Sequence, residues 1–306
     1  MSDTSPSVRS AVYGAPSPDL VAVADDAVQV SPLRPGALAL ESLPDASLES
    51  FALAAPAASI ERRHVLAHAL RVLAPGGTLS VLAPKDRGGQ RLREELEGFG
   101  CAVVERSKAR QRICTLARPE TLSGIGEAIA AGAPALVEET GLHSQPGVFS
   151  WNRVDPGTAL LLRHLPPLSG RGADLGAGLG ILARHVLAAP VVEALTLVEI
   201  DRRAVAASRL NVDDPRARFL WVDVRSSGLA DLDFVVSNPP FHAEGVEDRG
   251  LGQAFVAAAA RMLRRSGTLV LVANRHMPYE EGLRAAFRNV AVVADEAGFK
   301  VIEARK

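Results

Sequence analysis

Short apolar runs alternate with helix-forming stretches throughout the second half of the chain. The apolar runs predict a short first strand that leads from residues 170–172 to Asp174, followed by buried strands at residues 194–200, 219–224, 234–237 and 268–273. The stretches between them predict helices at residues 181–189 and 203–211. Repeated strand–helix–strand order indicates an α/β fold with a doubly wound, Rossmann-like parallel sheet and helices on both faces. We expect residues 290–293 and 300–304 to close the sheet as an antiparallel hairpin.

The first half contains a fainter copy of the second. Two blocks align without gaps, residues 51–56 with 234–239 and residues 71–83 with 261–273. In this alignment Ala55 stands where Asn238 stands in the second copy. An internal repeat of this length predicts two domains of one fold. Since no Gly-x-Gly-x-Gly precedes residue 51, we expect the first copy to be degenerate and to lack a ligand site.

A glycine- and alanine-rich stretch lies between the two copies. Residues 121–135 (TLSGIGEAIAAGAPA) predict a helix broken by glycines, followed by a linker. We therefore expect a degenerate domain over residues 1–118, a linker over 119–145 and the functional domain over 146–306.

Composition adds limits to this picture. With 306 residues, 47% hydrophobic and 23% charged, the chain is of ordinary globular type and long enough for two domains. A formal net charge of −1 does not indicate binding to nucleic acid through bulk charge. Residues 85–118 nevertheless carry nine basic and five acidic residues, a local net charge of +4. This segment is compatible with phosphate contacts and equally with a solvated surface.

The cysteines and the N-terminus bear on compartment. Cys101 and Cys114 are the only cysteines; they show no metal-ligand spacing and are too few for a disulfide scaffold. The first ten residues lack the apolar region of a signal peptide, and no apolar run reaches the length of a membrane span. We expect a cytoplasmic protein with no bound metal and no membrane contact.

A glycine-rich loop follows the first strand of the second half. Gly176, Gly178 and Gly180 allow a sharp turn and a close approach of the backbone to a ligand. The amides that open the next helix then face a polar group. A dinucleotide site needs Gly-x-Gly-x-x-Gly, and Ile181 stands at the sixth position here, which disfavours a reductase.

Acidic residues lie at the carboxyl ends of three successive predicted strands: Asp174, Glu199 and Asp223. Ligands of open α/β sheets bind at those ends. A carboxylate at Glu199 can accept both ribose hydroxyls of a nucleoside, and one at Asp223 can accept an adenine amino group. Each acid alone is also compatible with a solvated strand end.

The segment after the fourth strand has the most specific composition. Asn238, Pro239, Pro240 and Phe241 follow one another there. The Asn238 side-chain oxygen and the Pro239 carbonyl can each accept a hydrogen bond from one amino group. Two acceptors favour a pyramidal nitrogen, whose lone pair can then attack an electrophilic methyl group. Phe241 can stack on a flat base.

Together these motifs resemble a known family. The matching segments are residues 146–150 (PGVFS), 174–180 (DLGAGLG), 205–209 (VAASR), 237–242 (SNPPFH), 272–274 (VAN) and 278–279 (PY). They resemble class I S-adenosylmethionine (SAM)-dependent methyltransferases with an Asn-Pro-Pro-Phe motif. More narrowly, they resemble the ribosomal RNA small subunit methyltransferase C family, which methylates guanine N2. That family also has a degenerate N-terminal domain.

The resemblance implies roles for individual residues. Asp174 and the three loop glycines are expected to hold SAM, with Glu199 on its ribose and Asp223 on its adenine. Residues 238–241 are expected to be catalytic, with Asn238 also bordering the cofactor. Phe149 either caps the cofactor or base, or is a core aromatic at the domain junction. Glu199 departs from the family, which commonly has Asp there.

The implied substrate is ribosomal RNA, free or in the small subunit, with the target guanine unpaired or flipped out. Two alternatives stay open. An enzyme that methylates a protein glutamine amide would carry Asn-Pro-Pro, although more often with Tyr at position 241. A non-catalytic RNA-binding or assembly protein could retain the fold alone.

Overall fold

The computed structural model describes residues 9–240, 242–243, 246–247, 249–277 and 279–306. The chain divides into two units. The first comprises the residues up to Pro134 together with Gln145–Gly147, and the second comprises Ala135–Ser144 and Val148–Lys306.

The strands and helices are numbered in chain order. The strands of the first unit are β1 (Ser10–Tyr13), β2 (Val28–Gln29), β3 (Leu48–Ala54), β4 (Leu73–Pro84), β5 (Val104–Lys108) and β6 (Gln111–Ala117). Those of the second are β7 (Ala135–Val137), β8 (Leu142–Ser144), β9 (Gly170–Leu175), β10 (Val192–Glu199), β11 (Ala217–Trp221), β12 (Leu232–Ser237), β13 (His242–Ala243), β14 (Val246–Glu247), β15 (Leu263–Asn274), β16 (Asn289–Glu296) and β17 (Phe299–Arg305). The helices are α1 (Ser59–Val72), α2 (Leu92–Gly98), α3 (Ile125–Ala131), α4 (Pro156–His164), α5 (Ile181–Leu187), α6 (Arg202–Asn211), α7 (Arg249–Met262) and α8 (Tyr279–Ala286).

The second unit is built on a seven-stranded sheet in the order β11-β10-β9-β12-β15-β17-β16. Strands β9 to β12 and β15 run parallel to one another, β17 runs antiparallel to β15, and β16 and β17 form an antiparallel hairpin at one edge. This order confirms the predicted doubly wound sheet and its closing hairpin. The carboxyl ends of β9, β10, β11 and β12 therefore lie side by side.

Side chains on alternate positions of this sheet enter two separate cores, as the two-residue period of a strand requires. Val235 and Leu271 pack with α7 and α8 on one face. Phe234 and Val236 pack with α4 and α5 on the other. Because both faces are covered, the strands are nearly continuous in hydrophobicity.

The first unit repeats this plan without the outermost strand. Its six-stranded sheet has the order β2-β1-β3-β4-β6-β5, which matches β10-β9-β12-β15-β17-β16 position by position. In both sheets the last two strands are antiparallel and the others are parallel. The predicted duplication of the fold is thereby confirmed.

Strand pairing shows that the gap-free alignment of the two copies is one residue out of step. Ser50 pairs with Thr78 in the first sheet, and Phe234 pairs with Thr268 in the second. The two threonines are equivalent, so Ser50 is the structural counterpart of Phe234, in place of the predicted Phe51. The identical phenylalanines (Phe51 and Phe234) and prolines (Pro56 and Pro239) are thus not structurally equivalent.

The corrected register identifies what stands at the polar positions. Ala54, and not the predicted Ala55, is equivalent to Asn238, and Val12 is equivalent to Asp174. Residues 14–27, between β1 and β2, also form no helix. The first unit thus has neither the side chains nor the loop-to-helix turn that the second unit carries.

The stretch predicted as a linker, residues 119–145, contains ordered elements. Helix α3 belongs to the first unit and contributes Ala128 to its core. The β7–β8 hairpin belongs to the second unit, where Leu142 packs with Leu179 and Ala204. Across the described ranges, no helix has both the length and the apolar character needed to cross a bilayer.

Candidate active site

The carboxyl group of Asp174 lies on β9 and is fully buried. Neither of its oxygens has a hydrogen-bond partner of good geometry among the described residues. Burial first, and then repulsion from Glu199, raise the pKa of Asp174 to about 8, while the Ala183 amide offsets only part of this shift. A buried carboxyl group without a partner is costly. Its position suits a ligand that brings donors or positive charge.

Glu199, at the end of β10, is fixed by backbone amides. Its Oε2 accepts from the Gly178 amide at 2.9 Å, and its Oε1 accepts from the amides of Ile200 at 2.8 Å and Asp201 at 2.9 Å. Burial raises the pKa of Glu199, and these three donors lower it again. The backbone thus offers more hydrogen-bond donors to the charged form of Glu199 than to that of Asp174.

The glycines of the loop between β9 and α5 are required for different reasons. Gly178 and Gly180 both have positive φ, 53° and 81°. A Cβ at Gly180 would lie 2.6 Å from Cγ2 of Val212, inside the core. A Cβ at Gly178 would meet nothing within 4 Å. Gly180 is therefore required by packing, whereas Gly178 borders open space next to Glu199; Gly176 also has a positive φ of 71°.

Asn211, which sequence reasoning missed, clamps this loop from the end of α6. Its Nδ2 donates to the carbonyls of Leu179 at 3.0 Å and His143 at 2.9 Å. Its Oδ1 accepts from the His143 amide at 2.8 Å. The side chain thus ties the glycine loop to the β7–β8 hairpin. Because Asn211 is distant from both partners in the sequence, no local motif predicted these contacts.

Asp223 lies two residues beyond β11, and its carboxylate forms hydrogen bonds and an ion pair with Arg225. Its Oδ1 accepts from the Arg225 amide at 2.8 Å and from Nε at 2.9 Å, and its Oδ2 accepts from Nη2 at 2.5 Å. The Arg225 side chain holds the pKa of Asp223 below its usual range. Oδ2 also accepts from Nε at 3.1 Å, so each Asp223 oxygen already accepts two hydrogen bonds, all from Arg225.

Asn238 follows the end of β12, which is anchored to β9. The Ser237 hydroxyl donates to the Leu175 carbonyl at 2.7 Å. The Asn238 Nδ2 donates to Oδ2 of Asp155 and to Oγ1 of Thr158, both at 2.9 Å. Its Oδ1 accepts no hydrogen bond from any described residue, and the side chain is half-buried. The amide therefore presents an acceptor beside the glycine loop.

The neighbouring predicted residues are placed unequally. Pro239 is buried and Pro240 is exposed; the Cδ of Pro240 lies 3.8 Å from where a Cβ of Gly176 would be. Phe241, predicted to stack on a base, lies outside the described residues. Phe149 is 59% exposed, which is unlike a core aromatic and leaves it available to cover a ligand.

The basic residues of segment 85–118 mostly bind parts of the first unit itself. Arg106 donates to the Leu20 carbonyl, and Lys108 donates to the Asp19 carbonyl at 3.3 Å. Arg112 pairs with Glu105 at 2.9 Å. These contacts favour a structural role for the segment over phosphate binding.

Comparisons with known proteins agree with this geometry. Residues 139–303 match the family model of the methyltransferase small domain. The chain is 36% identical over 157 residues to the ribosomal RNA small subunit methyltransferase C of Shewanella sp. (strain MR-4), a match of 51% of this chain and 46% of the relative. It is 30% identical over 246 residues to that of Shewanella loihica, a match of 77% of this chain and 71% of the relative. In the first of these matches, the chain spans about half the length of the curated relative.

A solved structure extends the likeness over both units. The T. thermophilus 16S rRNA N2-guanine methyltransferase (RsmC), in complex with AdoMet and guanosine, superposes with a TM-score of 0.71 and 29% identity. This match covers 88% of this chain and 76% of that one. The likeness therefore includes the first unit as well as the candidate site.

Proposed function

This chain belongs to the ribosomal RNA small subunit methyltransferase C family, and on that premise we propose that it transfers a methyl group from SAM to the exocyclic N2 amino group of a guanine in 16S ribosomal RNA. The observation that carries the proposal is the Asn238 side-chain oxygen, which accepts from none of the described residues and lies at the carboxyl edge of the sheet beside the glycine loop. A related protein of known structure, named as a 16S rRNA methyltransferase, was solved with AdoMet and guanosine.

The residues at the carboxyl ends of β9 and β10 fit SAM. Asp174 is a buried carboxyl group with no hydrogen-bond partner of good geometry among the described residues, which suits the positive charge of the cofactor. The open space at Gly178 suits a close approach of the cofactor to the backbone. Glu199 is fixed next to that space and suits the ribose hydroxyls. We assign the adenine end to Asp223, where the amino group would share the carboxylate with Arg225.

SAM supplies an electrophilic methyl group when bound. The protein's part is alignment and hydrogen bonding. The Asn238 Oδ1 and the Pro239 carbonyl accept hydrogen bonds from the guanine N2 amino group, so that its lone pair turns out of the base plane towards the methyl group. These acceptors also stabilise the positive charge that develops on nitrogen. We assign stacking on the base to Phe241, and cover of the site to Phe149.

The proposed partner is the small-subunit ribosomal RNA, either free or assembled, and the proposed compartment is the cytoplasm. Cys101 and Cys114 are both buried and unpaired, which suits a reducing environment. The target base must leave its stack to reach the site.

Asn238→Ala tests the mechanism. We expect methyl transfer to fall by about a hundredfold or more, because the variant loses an acceptor used in the transition state. SAM affinity should change little, and calorimetry should find one SAM per chain. Transfer is measured with labelled SAM and small-subunit RNA; an active variant would contradict the mechanism.

Mass mapping of methylated nucleosides in ribosomal RNA, from cells with and without the gene, tests the substrate. The loss of one N2-methylguanosine is the expected result. An unchanged RNA map together with a missing methylglutamine in a protein would favour the alternative amide substrate.

A further inference from the structure

The side-chain amide of Asn238 can occupy its site in two orientations of nearly the same shape. Rotation by half a turn exchanges the oxygen and the NH2 group. The two orientations have opposite consequences for the proposed reaction. With Oδ1 towards the substrate, the amide accepts from the amino group. With Nδ2 towards the substrate, two donors would face each other.

Asp155 decides between these orientations. An ionised carboxylate has only acceptors, so the group that faces its Oδ2 at 2.9 Å must be the Asn238 NH2. In the rotated orientation, the Asn238 Oδ1 would stand against Oδ2 of Asp155, and two partially or fully negative oxygens would repel each other. The carboxylate thus directs Oδ1 of Asn238 away from itself.

Thr158 contributes less to this choice, although it is equally close. Its Oγ1 accepts from the other hydrogen of the Asn238 NH2 at 2.9 Å. A hydroxyl can also donate, so Thr158 would satisfy either orientation of the amide. Thr158 therefore supports the amide in place, and Asp155 alone specifies which way it faces.

The start of α4 holds Asp155 in position. Asp155 is the N-cap of this helix, where its Oδ2 also accepts from the Thr158 amide at 2.9 Å, and Pro156 occupies the first turn. A Cβ at Gly157 would lie 3.0 Å from the same Oδ2. One oxygen thus caps the helix and holds Asn238, which lies 83 residues away in the chain.

We propose that Asp155 is a positioning residue, whose carboxylate holds the Asn238 amide with its oxygen towards the acceptor amine. This inference rests on the proposed function only in naming that amine as the partner of the oxygen. By accepting from Nδ2, the carboxylate also polarises the amide and makes Oδ1 a stronger acceptor. In this proposal Asp155 acts through Asn238 and is not itself a catalytic residue.

Asp155→Ser separates the two roles of the residue. Serine is a good N-cap, so α4 keeps its cap, but its hydroxyl is too short to reach Asn238. Thr158→Val removes the second acceptor and keeps the branched shape, while Thr158→Ser restores the hydroxyl. Asp155→Asn keeps both the cap and a neutral acceptor, and it serves as the rescue variant.

We expect Asp155→Ser to lower kcat on the order of tenfold or more, because the productive amide orientation is no longer dominant. KM for RNA, the Kd for SAM and the melting temperature should stay close to the wild-type values. Thr158→Val should lose less activity than Asp155→Ser, Thr158→Ser should lose almost none, and Asp155→Asn should recover part of kcat. A merely structural role would lower the melting temperature and would not spare KM.

A spectroscopic measurement decides the inference even if no RNA substrate responds. The full chain has five asparagines, so selective side-chain 15N labelling yields a simple amide spectrum, in which Asn238→Ala identifies the Asn238 signals. The amide protons bound to Asp155 should be shifted downfield and exchange slowly in the wild type, and both features should vanish in Asp155→Ser. Unchanged Asn238 signals in a folded Asp155→Ser protein would overturn the inference. If those signals change but kcat does not, the inference is likewise overturned.

Discussion

At the residue scale, the carboxylates of the candidate site differ most in how many hydrogen-bond donors the protein provides to each. Glu199 accepts three backbone amides, and Asp223 accepts an arginine side chain. Asp174 is more buried than either and has no partner of good geometry within the described residues. The ligand-free protein therefore carries an unfavourable group at the point where the proposed cofactor's charge would lie, as is common where function competes with stability.

Asp174→Asn should stabilise the ligand-free protein near pH 8. The pKa of Asp174 is raised from 3.8 to about 8, so the native state keeps a proton that the unfolded state loses. Wild-type stability should therefore fall as pH rises from about 4 to about 8, whereas the neutral amide carries no such penalty. Thermal unfolding across this range measures the difference, which should disappear below pH 4.

The same variant should bind SAM more weakly. Asp174 must release its proton to meet a cation, so calorimetry at pH 7 in buffers of different ionisation enthalpy should show proton release with the wild type and not with Asp174→Asn. Asp213→Asn, at an exposed carboxylate, is the control for both measurements. A variant with unaltered stability at every pH would show that Asp174 is not protonated in the native state.

At the element scale, the turn from β9 into α5 combines two requirements that the sequence presents as one glycine pattern. Gly180 is needed because Val212 fills the space of a side chain. Gly178 has no neighbour in that direction, and its amide instead binds Glu199. Asn211 fixes the intervening Leu179 carbonyl, so the loop is held from α6 as well as from β10.

Alanine should therefore affect mainly stability at Gly180 and mainly SAM affinity at Gly178. Gly180→Ala should lower stability by about 1–3 kcal/mol, because its Cβ overpacks the core. Gly178→Ala should cost less stability but weaken SAM binding by roughly tenfold or more, because its Cβ enters the space assigned to the cofactor. Gly141→Ala is the matched control, since Gly141 has a positive φ of 64° and open space around its Cβ. Unfolding curves and SAM titrations measure both effects; normal SAM affinity in Gly178→Ala would show that the loop is only a turn.

At the scale of the whole molecule, the two units share one sheet topology but differ in the side chains near the carboxyl ends of their strands. Shortly after β3, the strand equivalent to β12, the carbonyls of Pro56 and Ala57 accept from Arg62. Arg62 is 1% exposed and forms a two-pronged ion pair with Glu95, with both distances 2.7 Å. The first unit thus carries a buried ion pair near the end of the strand that corresponds to β12.

Glu95→Ala should destabilise the first unit by about 3–5 kcal/mol, because it leaves a buried guanidinium without its counter-ion. Glu97→Ala, which removes the exposed pair with Arg93 on the same helix, is the control and should have little effect. Neither change should alter SAM affinity, because both lie in the first unit. Denaturant unfolding and calorimetry measure these outcomes, and loss of SAM binding in Glu95→Ala would contradict the assignment of a single site to the second unit.

The sequence by itself determined the order of strands and helices and the edge at which the site lies. Local periodicity specifies the elements, and parallel β-α-β order forces the ends of β9, β10 and β12 to one edge. The positions of Asp174, Glu199 and Asn238 followed from that order, because each residue ends or directly follows a strand.

Only the tertiary structure decided how these groups are paired. Asn238 forms a hydrogen bond with Asp155, and Asn211 forms one with Leu179. These residues are far apart in the sequence, so hydrophobic periodicity does not predict their pairing. The one-residue slip between the two copies is likewise a matter of strand register, which depends on the hydrogen bonds between neighbouring strands. Sequence patterns describe which face of an element is buried, whereas hydrogen-bond partners depend on side chains that folding alone brings within reach of each other.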